Sequence, residues 1–236
     1  MEHVIASYLR QVWDKNDWLY QGQHGFRPGY SCESQIIAVC QDIADSLDNG
    51  DRTDAIVIDF SKAFDLVPHD RLLMKIPNSG VDSRVVAWVR EFLLGRMQRV
   101  RVGRQLSEEV RVTSGVPQWG VLCPLLFLDY VNDISKKTVS TIRRFADDCV
   151  IYRKIIINED IEICRKIWTG WGGGGTWSAK NAMKINPSKC KAVSFTRDRV
   201  KDPINYTKLY DRGSINSGSK QLHILGNNLT QQLKLG

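Results

Sequence analysis

The stretch Arg144-Phe145-Ala146-Asp147-Asp148-Cys149-Val150-Ile151-Tyr152 constrains the fold of this chain more than any other. Two adjacent carboxylates lie between short, β-prone runs, Thr141 to Phe145 and Cys149 to Tyr152. That pattern predicts a hairpin with both acids at its tip. The tightest hairpin turns require positive φ and favour Asn-Gly or Asp-Gly, so Asp-Asp is a poor choice for the turn alone. Two neighbouring like charges also repel, and a divalent cation would remove that repulsion. A solvated surface turn that happens to carry two acids is the plain alternative. A third carboxylate in a matching setting would decide between them.

Asp59 supplies that third carboxylate. It ends the apolar run Asp54-Ala55-Ile56-Val57-Ile58-Asp59-Phe60, which reads as a strand buried on both faces. A charge is rarely buried without a partner, so an acid at the end of a core strand calls for an explanation. Around these two features the pattern alternates. A helix is expected over Val4 to Trp13, with Val4, Ile5, Tyr8, Leu9 and Val12 on its core face. Ser31 is placed to cap a second helix with Ile36, Ile37, Cys40, Ile43, Ala44 and Leu47 inward, ending at Asn49-Gly50. Pro68 opens a helix running to Ile76, and a further helix ends at Gly95. Arg96 to Val102 and Glu109 to Val112 alternate as two strands, with Arg99 and Arg101 on one face. Val121 to Ile134 reads as a buried helix; a helix over Asp160 to Trp168 and a strand over Ala192 to Phe195 follow the hairpin. The glycine run at 172–175 interrupts regular structure, and Leu222 to Leu225 is a last apolar patch.

The expected fold class is α+β: a βαββαβ antiparallel sheet, ferredoxin-like, with helices on one face. Such a sheet brings Asp59 beside the hairpin tip. Three carboxylates there suit two metal ions roughly 3.5 to 4 Å apart, the arrangement that activates a hydroxyl and stabilises in-line phosphoryl transfer. His24, His69 and His223 suggest no nucleophile–base pair and read as surface or structural histidines.

Charge agrees with an acidic partner. The 236 residues carry a net charge of +7, and the pI near 9.1 favours nucleic acid, although a merely basic protein would look the same. The six cysteines are scattered without metal-like spacing and no signal peptide is evident, so reduced thiols in an intracellular compartment are expected. No apolar run reaches the roughly 18 residues of a membrane span.

Five segments, in order, resemble the reverse transcriptases of non-LTR retrotransposons. They are Gln23 to Ser31, Asp59 to Asp65 with Val67-Pro68-His69, Ser114 to Pro124, Phe145 to Tyr152, and Asn186 to Cys190. The resemblance extends from the first residues to about Leu229. It implies a polymerase palm with partial fingers, divided as 1–53 fingers and fingers–palm helices, 54–196 catalytic palm, and 197–236 palm end with a primer-grip-like segment. By this resemblance Asp59, Asp147 and Asp148 are the catalytic acids that bind Mg²⁺ or Mn²⁺. Phe60, Phe64, Gln118 and Lys189 fall on the nucleotide side, with Phe64 as the aromatic gate against a 2′-hydroxyl. Arg27, Leu225 and Gly226 fall on the template or primer. Arg96, Arg99, Arg101, Arg143 and Arg144 are candidate backbone contacts, with a solvated sheet face as the alternative. The implied partners are an RNA template, a DNA primer and dNTPs, with no membrane; the implied reaction is RNA-directed addition of dNTPs to a primer 3′-end. Trp119 and Cys123 depart from the family pattern, each standing where it has a glycine, and the chain is expected to lack the start of the fingers and the thumb. A truncated, degenerate relic that at most binds nucleic acid is therefore the second expectation.

Overall fold

The structure, a computed structural model, describes residues 1–172, 177–186, 188–197 and 222–224. Helices are α1 (Glu2–Lys15), α2 (Cys32–Asp48), α3 (His69–Lys75), α4 (Ser83–Leu93), α5 (Cys123–Val131), α6 (Asn158–Gly172) and α7 (Trp177–Lys180). Strands are β1 (Arg52–Ile58), β2 (Met97–Gln98), β3 (Arg101–Val102), β4 (Gln105–Leu106), β5 (Val110–Arg111), β6 (Thr141–Phe145), β7 (Asp148–Ile155), β8 (Lys191–Phe195) and β9 (Leu222–Ile224). The chain divides into two compact units interleaved in sequence.

One unit, Gln21–Ser61 with Ser135–Lys180 and Lys184–Gly236, holds the main sheet. Its strand order is β6-β7-β1-β8-β9, with β1 antiparallel to both β7 and β8. For the four strands β1, β6, β7 and β8 this is the split-βαβ order of a ferredoxin-like sheet. β9 adds parallel to β8, pairing Leu222 with Val193, a strand that a bare apolar patch did not announce. β1 is buried along nearly its whole length, paired on both edges and with α2 packed on Ala55. Val39, Ile43 and Leu47 of α2 pack on Ala55, Tyr152 and Phe195, with Val150 and Val193 at the margin.

The Ser31 cap forms as expected. Its hydroxyl accepts from the Ser34 amide at 3.2 Å, and the Ser34 hydroxyl returns the favour to the Ser31 amide at 2.9 Å, satisfying two otherwise orphan donors. The buried stripe of α2 is a correction. It runs through Gln35, Val39, Ile43, Ser46 and Leu47, while Ile37 is exposed. The sheet selected this stripe: the Thr53 hydroxyl of β1 donates to the Ser46 hydroxyl at 2.7 Å, inside the packed face.

The other unit comprises Met1–Tyr20, Lys62–Ile134 and Asn181–Met183. α5 is buried over nearly every residue, and Asp129 within it accepts from the Trp18 indole at 2.7 Å. In α1 the buried residues are Ile5, Ala6, Leu9 and Trp13, and Val4 is exposed, contrary to the expected face. The stripe that wins is the one ending on Trp13, the largest side chain available to fill the core. Arg96 to Val112 pairs antiparallel, but not as two continuous strands. It forms two ladders of two residue pairs each, β2 with β5 and β3 with β4, all exposed. Alternating residues there found no hydrophobic surface to cover.

Candidate metal and nucleotide site

The hairpin turn is tighter than the sequence suggested. Phe145 pairs with Asp148, so Asp148 already belongs to β7 and only Ala146 and Asp147 form the connection. The positive φ that such a turn demands falls on Ala146, at 57°, rather than on an aspartate. Asp59 follows β1 directly. The last pair of that ladder is Ile58 with Cys149, so the next position sets Asp59 alongside Asp148, where neighbours in a continued ladder stand about 5 Å apart. The backbone at Asp59 is held by the segment leading into β8: its carbonyl accepts from the Asn186 amide at 2.8 Å, and its amide donates to Cys190 Sγ at 3.4 Å.

The electrostatics follow from this crowding. Burial raises the Asp147 pKa above the ordinary carboxylate value, and the Asp59 charge raises it further. Partial desolvation likewise raises Asp148, whose side chain is exposed at the start of β7, with Asp147 and then Asp59 adding to the shift. Lys189 opposes both shifts, and its Nζ stands 3.9 Å from Asp59 Oδ1. Three mutually repelling hard-oxygen donors have the chemistry to hold Mg²⁺ or Mn²⁺. Their side chains are not drawn into a ligand sphere: among the described residues no group of three or more His, Cys, Asp and Glu is arranged to hold a metal ion.

The remaining candidates fall in several places. Phe60 is buried, bridging Ile185 in the backbone and meeting Trp177 edge-on at 6.3 Å. Phe64 is half-buried and stacks on Phe127 at 4.2 Å. Its loop and that of Gln118 are joined. The Val116 amide donates to the Phe64 carbonyl at 2.9 Å and the Gly115 amide to Val67 at 2.8 Å. Gln118 is exposed, and its amide donates to Asp65 Oδ1 at 2.6 Å. A Cβ on Gly115 would lie 2.8 Å from the Asp65 carbonyl oxygen, so glycine is needed for this approach. Asp65 was missed as the anchor of Gln118; its place in the Asp59 to Asp65 segment was the available signal. Trp119 is fully exposed with φ 65°. Burial, then the Asp65 charge, pushes the Cys123 thiol up to about 11.

Among the basic candidates, Arg27 lies over the Tyr30 ring at 4.9 Å. Arg99 pairs with Glu109 at 3.3 Å, and exposed Arg101 donates to the Gly103 carbonyl at 3.1 Å. Arg143 pairs with Asp42 at 3.0 Å. Arg144 is a correction: it falls on the inward phase of β6 and is buried, so it is closed to a phosphate backbone. Leu225 and Gly226 lie outside the described residues, as does most of the glycine run at 172–175. His24 bonds the Ser34 hydroxyl at 2.8 Å and His69 the Gly115 carbonyl at 2.7 Å, structural roles for both.

The profile of the family described as "Reverse transcriptase (RNA-dependent DNA polymerase)" matches residues 1–229. The chain belongs to this family. It is 29% identical over 211 residues to the probable RNA-directed DNA polymerase from transposon X-element of Drosophila melanogaster, covering 87% of this chain and 23% of that protein. Against the probable RNA-directed DNA polymerase from transposon BS of the same fly the identity is 27% over 250 residues, covering 100% and 26%. Against that of mobile element jockey from Drosophila funebris it is 26% over 205 residues, covering 83% and 22%. These relatives are named as RNA-directed DNA polymerases, two of them probable, of transposons and a mobile element, and the chain spans about a quarter of their length.

Solved structures agree on the fold. A telomerase from Candida albicans, in complex with a TWJ fragment of telomeric RNA, superposes with TM-score 0.62 at 12% identity, covering 80% of this chain and 35% of that one. The apo telomerase from Candida tropicalis truncated from its C-terminal domain gives 0.64 at 11%, covering 81% and 40%. The chain thus shares its fold with these telomerases. Among the described residues no helix is long and apolar enough to cross a membrane.

Proposed function

We propose that this chain carries the catalytic palm of an RNA-directed DNA polymerase from a non-LTR retrotransposon, adding dNTPs to a primer 3′-end on an RNA template. The observation that carries this reading is the meeting of Asp59 with Asp147 and Asp148 where β1 leaves the sheet beside the β6–β7 turn. Segment 1–53 serves as partial fingers, 54–196 as palm, and 197–236 as palm end with Leu225-Gly226 at the primer. The site acts inside the cell, where free thiols persist.

Asp59, Asp147 and Asp148 are the residues that would hold the ions, Mg²⁺ or Mn²⁺. When bound, such a metal pair lowers the pKa of the attacking 3′-hydroxyl and neutralises charge on the leaving pyrophosphate. Lys189 balances the Asp59 charge and is free to swing toward a triphosphate, since its side chain is largely exposed. Phe64, braced by Phe127, offers a rigid wall that selects by bulk against a 2′-hydroxyl. Gln118, oriented by Asp65, lies along the nucleotide. Arg27, Arg99 and Arg101 follow the nucleic-acid backbone, with salt-sensitive affinity.

A primed RNA template with dNTPs and Mg²⁺ tests the reading, with Asp147→Ala alongside. Incorporation by the wild type that falls to background in Asp147→Ala is the expected result. Incorporation that survives the substitution would remove the carboxylates from the mechanism. One observation favours a second reading, a degenerate relic that at most binds nucleic acid: Trp119 holds a backbone conformation that suits glycine. Absence of incorporation by folded wild type and folded Trp119→Gly alike would support it.

A further inference from the structure

We propose that Gln23 is a positioning residue for the acidic turn: its buried side-chain amide holds Ala146 in the conformation that sets Asp147 and Asp148. The inference rests on the carboxylate reading above and adds to it a residue outside the acids themselves.

The argument begins with strain. Ala146 stands at φ 57°, a region that non-glycine residues rarely adopt. Such conformations persist only where their surroundings over-determine them. Gln23 supplies the surroundings. Its Oε1 accepts from the Ala146 amide at 3.0 Å, and its Nε2 donates to the Ala146 carbonyl at 3.3 Å. The two peptide groups that flank Ala146 are thereby held by one side chain, and the second of them carries the Asp147 nitrogen. Oε1 also accepts from the Gly25 amide at 3.0 Å, which fixes the glutamine itself. At 1% exposure Gln23 leaves no room for water to take over these bonds.

The backbone brings the glutamine there. The Arg144 amide donates to the Gly22 carbonyl, and the His24 amide to the Arg144 carbonyl, both at 2.8 Å. Gln23 thus bridges Arg144 in parallel along the outer edge of β6. Two residues after it, Gly25 passes so close that a Cβ would lie 2.2 Å from the Ala146 nitrogen. The far end of the loop is tied to α2 by the His24–Ser34 bond and leads to Arg27. An amide is the group this task needs, because the turn presents one donor and one acceptor. A glutamate would answer the donor and repel the carbonyl, and would add charge next to Asp147.

The test uses the full chain with Gln23→Ala, Gln23→Glu and Asp147→Ala. Amide hydrogen exchange over 144–149 is read without metal, and Mn²⁺ affinity is read by electron paramagnetic resonance. Both Gln23 variants should speed exchange at the turn tenfold or more, with α2 and β1 unchanged. Both should also weaken Mn²⁺ binding about 10- to 100-fold, the usual effect of losing a group that orients a ligand. Ala146→Gly, which needs no clamp, should restore much of both losses in Gln23→Ala, a coupling that a generally destabilised protein would not show. Wild-type exchange and Mn²⁺ affinity in the Gln23 variants would overturn the proposal, as would the absence of rescue by Ala146→Gly. Undiminished Mn²⁺ binding by Asp147→Ala would instead overturn the carboxylate reading, while the exchange data still judge the clamp.

Discussion

Ala146 in the β6–β7 turn and Trp119 in the loop before α5 both carry positive φ, 57° and 65°, yet the protein treats them in opposite ways. Ala146 is buried, with both adjoining peptide groups bonded to a glutamine from a distant loop. Trp119 stands fully in solvent. The same local cost is offset by tertiary contacts in one place and simply carried in the other. Strain beside the acids is therefore structured, whereas strain at Trp119 is ballast unless a bound nucleic acid makes use of the indole. The difference separates a residue that a turn requires from one that a loop tolerates.

Substitutions can break this contrast. The largest effect is expected from Gly25→Ala, whose new methyl would collide with the Ala146 nitrogen. Forcing backbone apart in a packed turn should cost about 3 kcal/mol, read as a lowered urea midpoint. A loss below about 1 kcal/mol would mean that the loop yields easily and the clamp is loose. Trp119→Gly should stabilise by about 1 kcal/mol, since the positive φ is relieved and no packing is lost. A destabilised Trp119→Gly protein would mean that the indole is supported after all. Ala146→Gly should gain less, about 0.5 kcal/mol at most, because a buried methyl is given up in exchange. A gain equal to that at Trp119 would erase the distinction between the two sites.

The gentlest test is pH. Asp147 and Asp148 have folded pKa values raised above the ordinary 3.8 by partial desolvation and by the neighbouring carboxylates. The folded state therefore binds more protons than the unfolded chain in that range. Their contribution is favourable at low pH and is lost as pH rises from about 3.8 through the raised values. Thermal melts without divalent cations should show stability falling over that window, and Asp147→Asn should flatten the fall. Adding Mg²⁺ should restore stability only above the window, where both acids are ionised. A slope unchanged by Asp147→Asn would remove the hairpin as its source; Trp119→Gly should leave the slope as it is.

Much of the architecture was legible because it is written in local chemistry. The Ser31 cap, the apolar run of β1, the buried α5 and the hairpin each depend on neighbours within a few residues. The ordered motifs carried the family, and the profile match over 1–229 bears that out. The acids were visible as residue types out of keeping with their strands. Choices of face were less legible. α2 offered several apolar stripes, and the Ser46–Thr53 contact selected one that leaves Ile37 in water. Arg144 read as a basic surface residue, and the register of β6 buried it.

By itself, the sequence determined which residues could do chemistry here: Asp59 ending a core strand, and Asp147-Asp148 between two β runs, within the ordered motifs of a reverse transcriptase. Only the tertiary structure decided how the turn between those runs is made. Ala146, not an aspartate, takes the positive φ, and Gln23, more than a hundred positions earlier in the chain, holds it there. The physical reason is separation. Propensity, capping and periodicity act over a few residues, whereas a buried amide bonded across the edge of a sheet exists only once the sheet has formed.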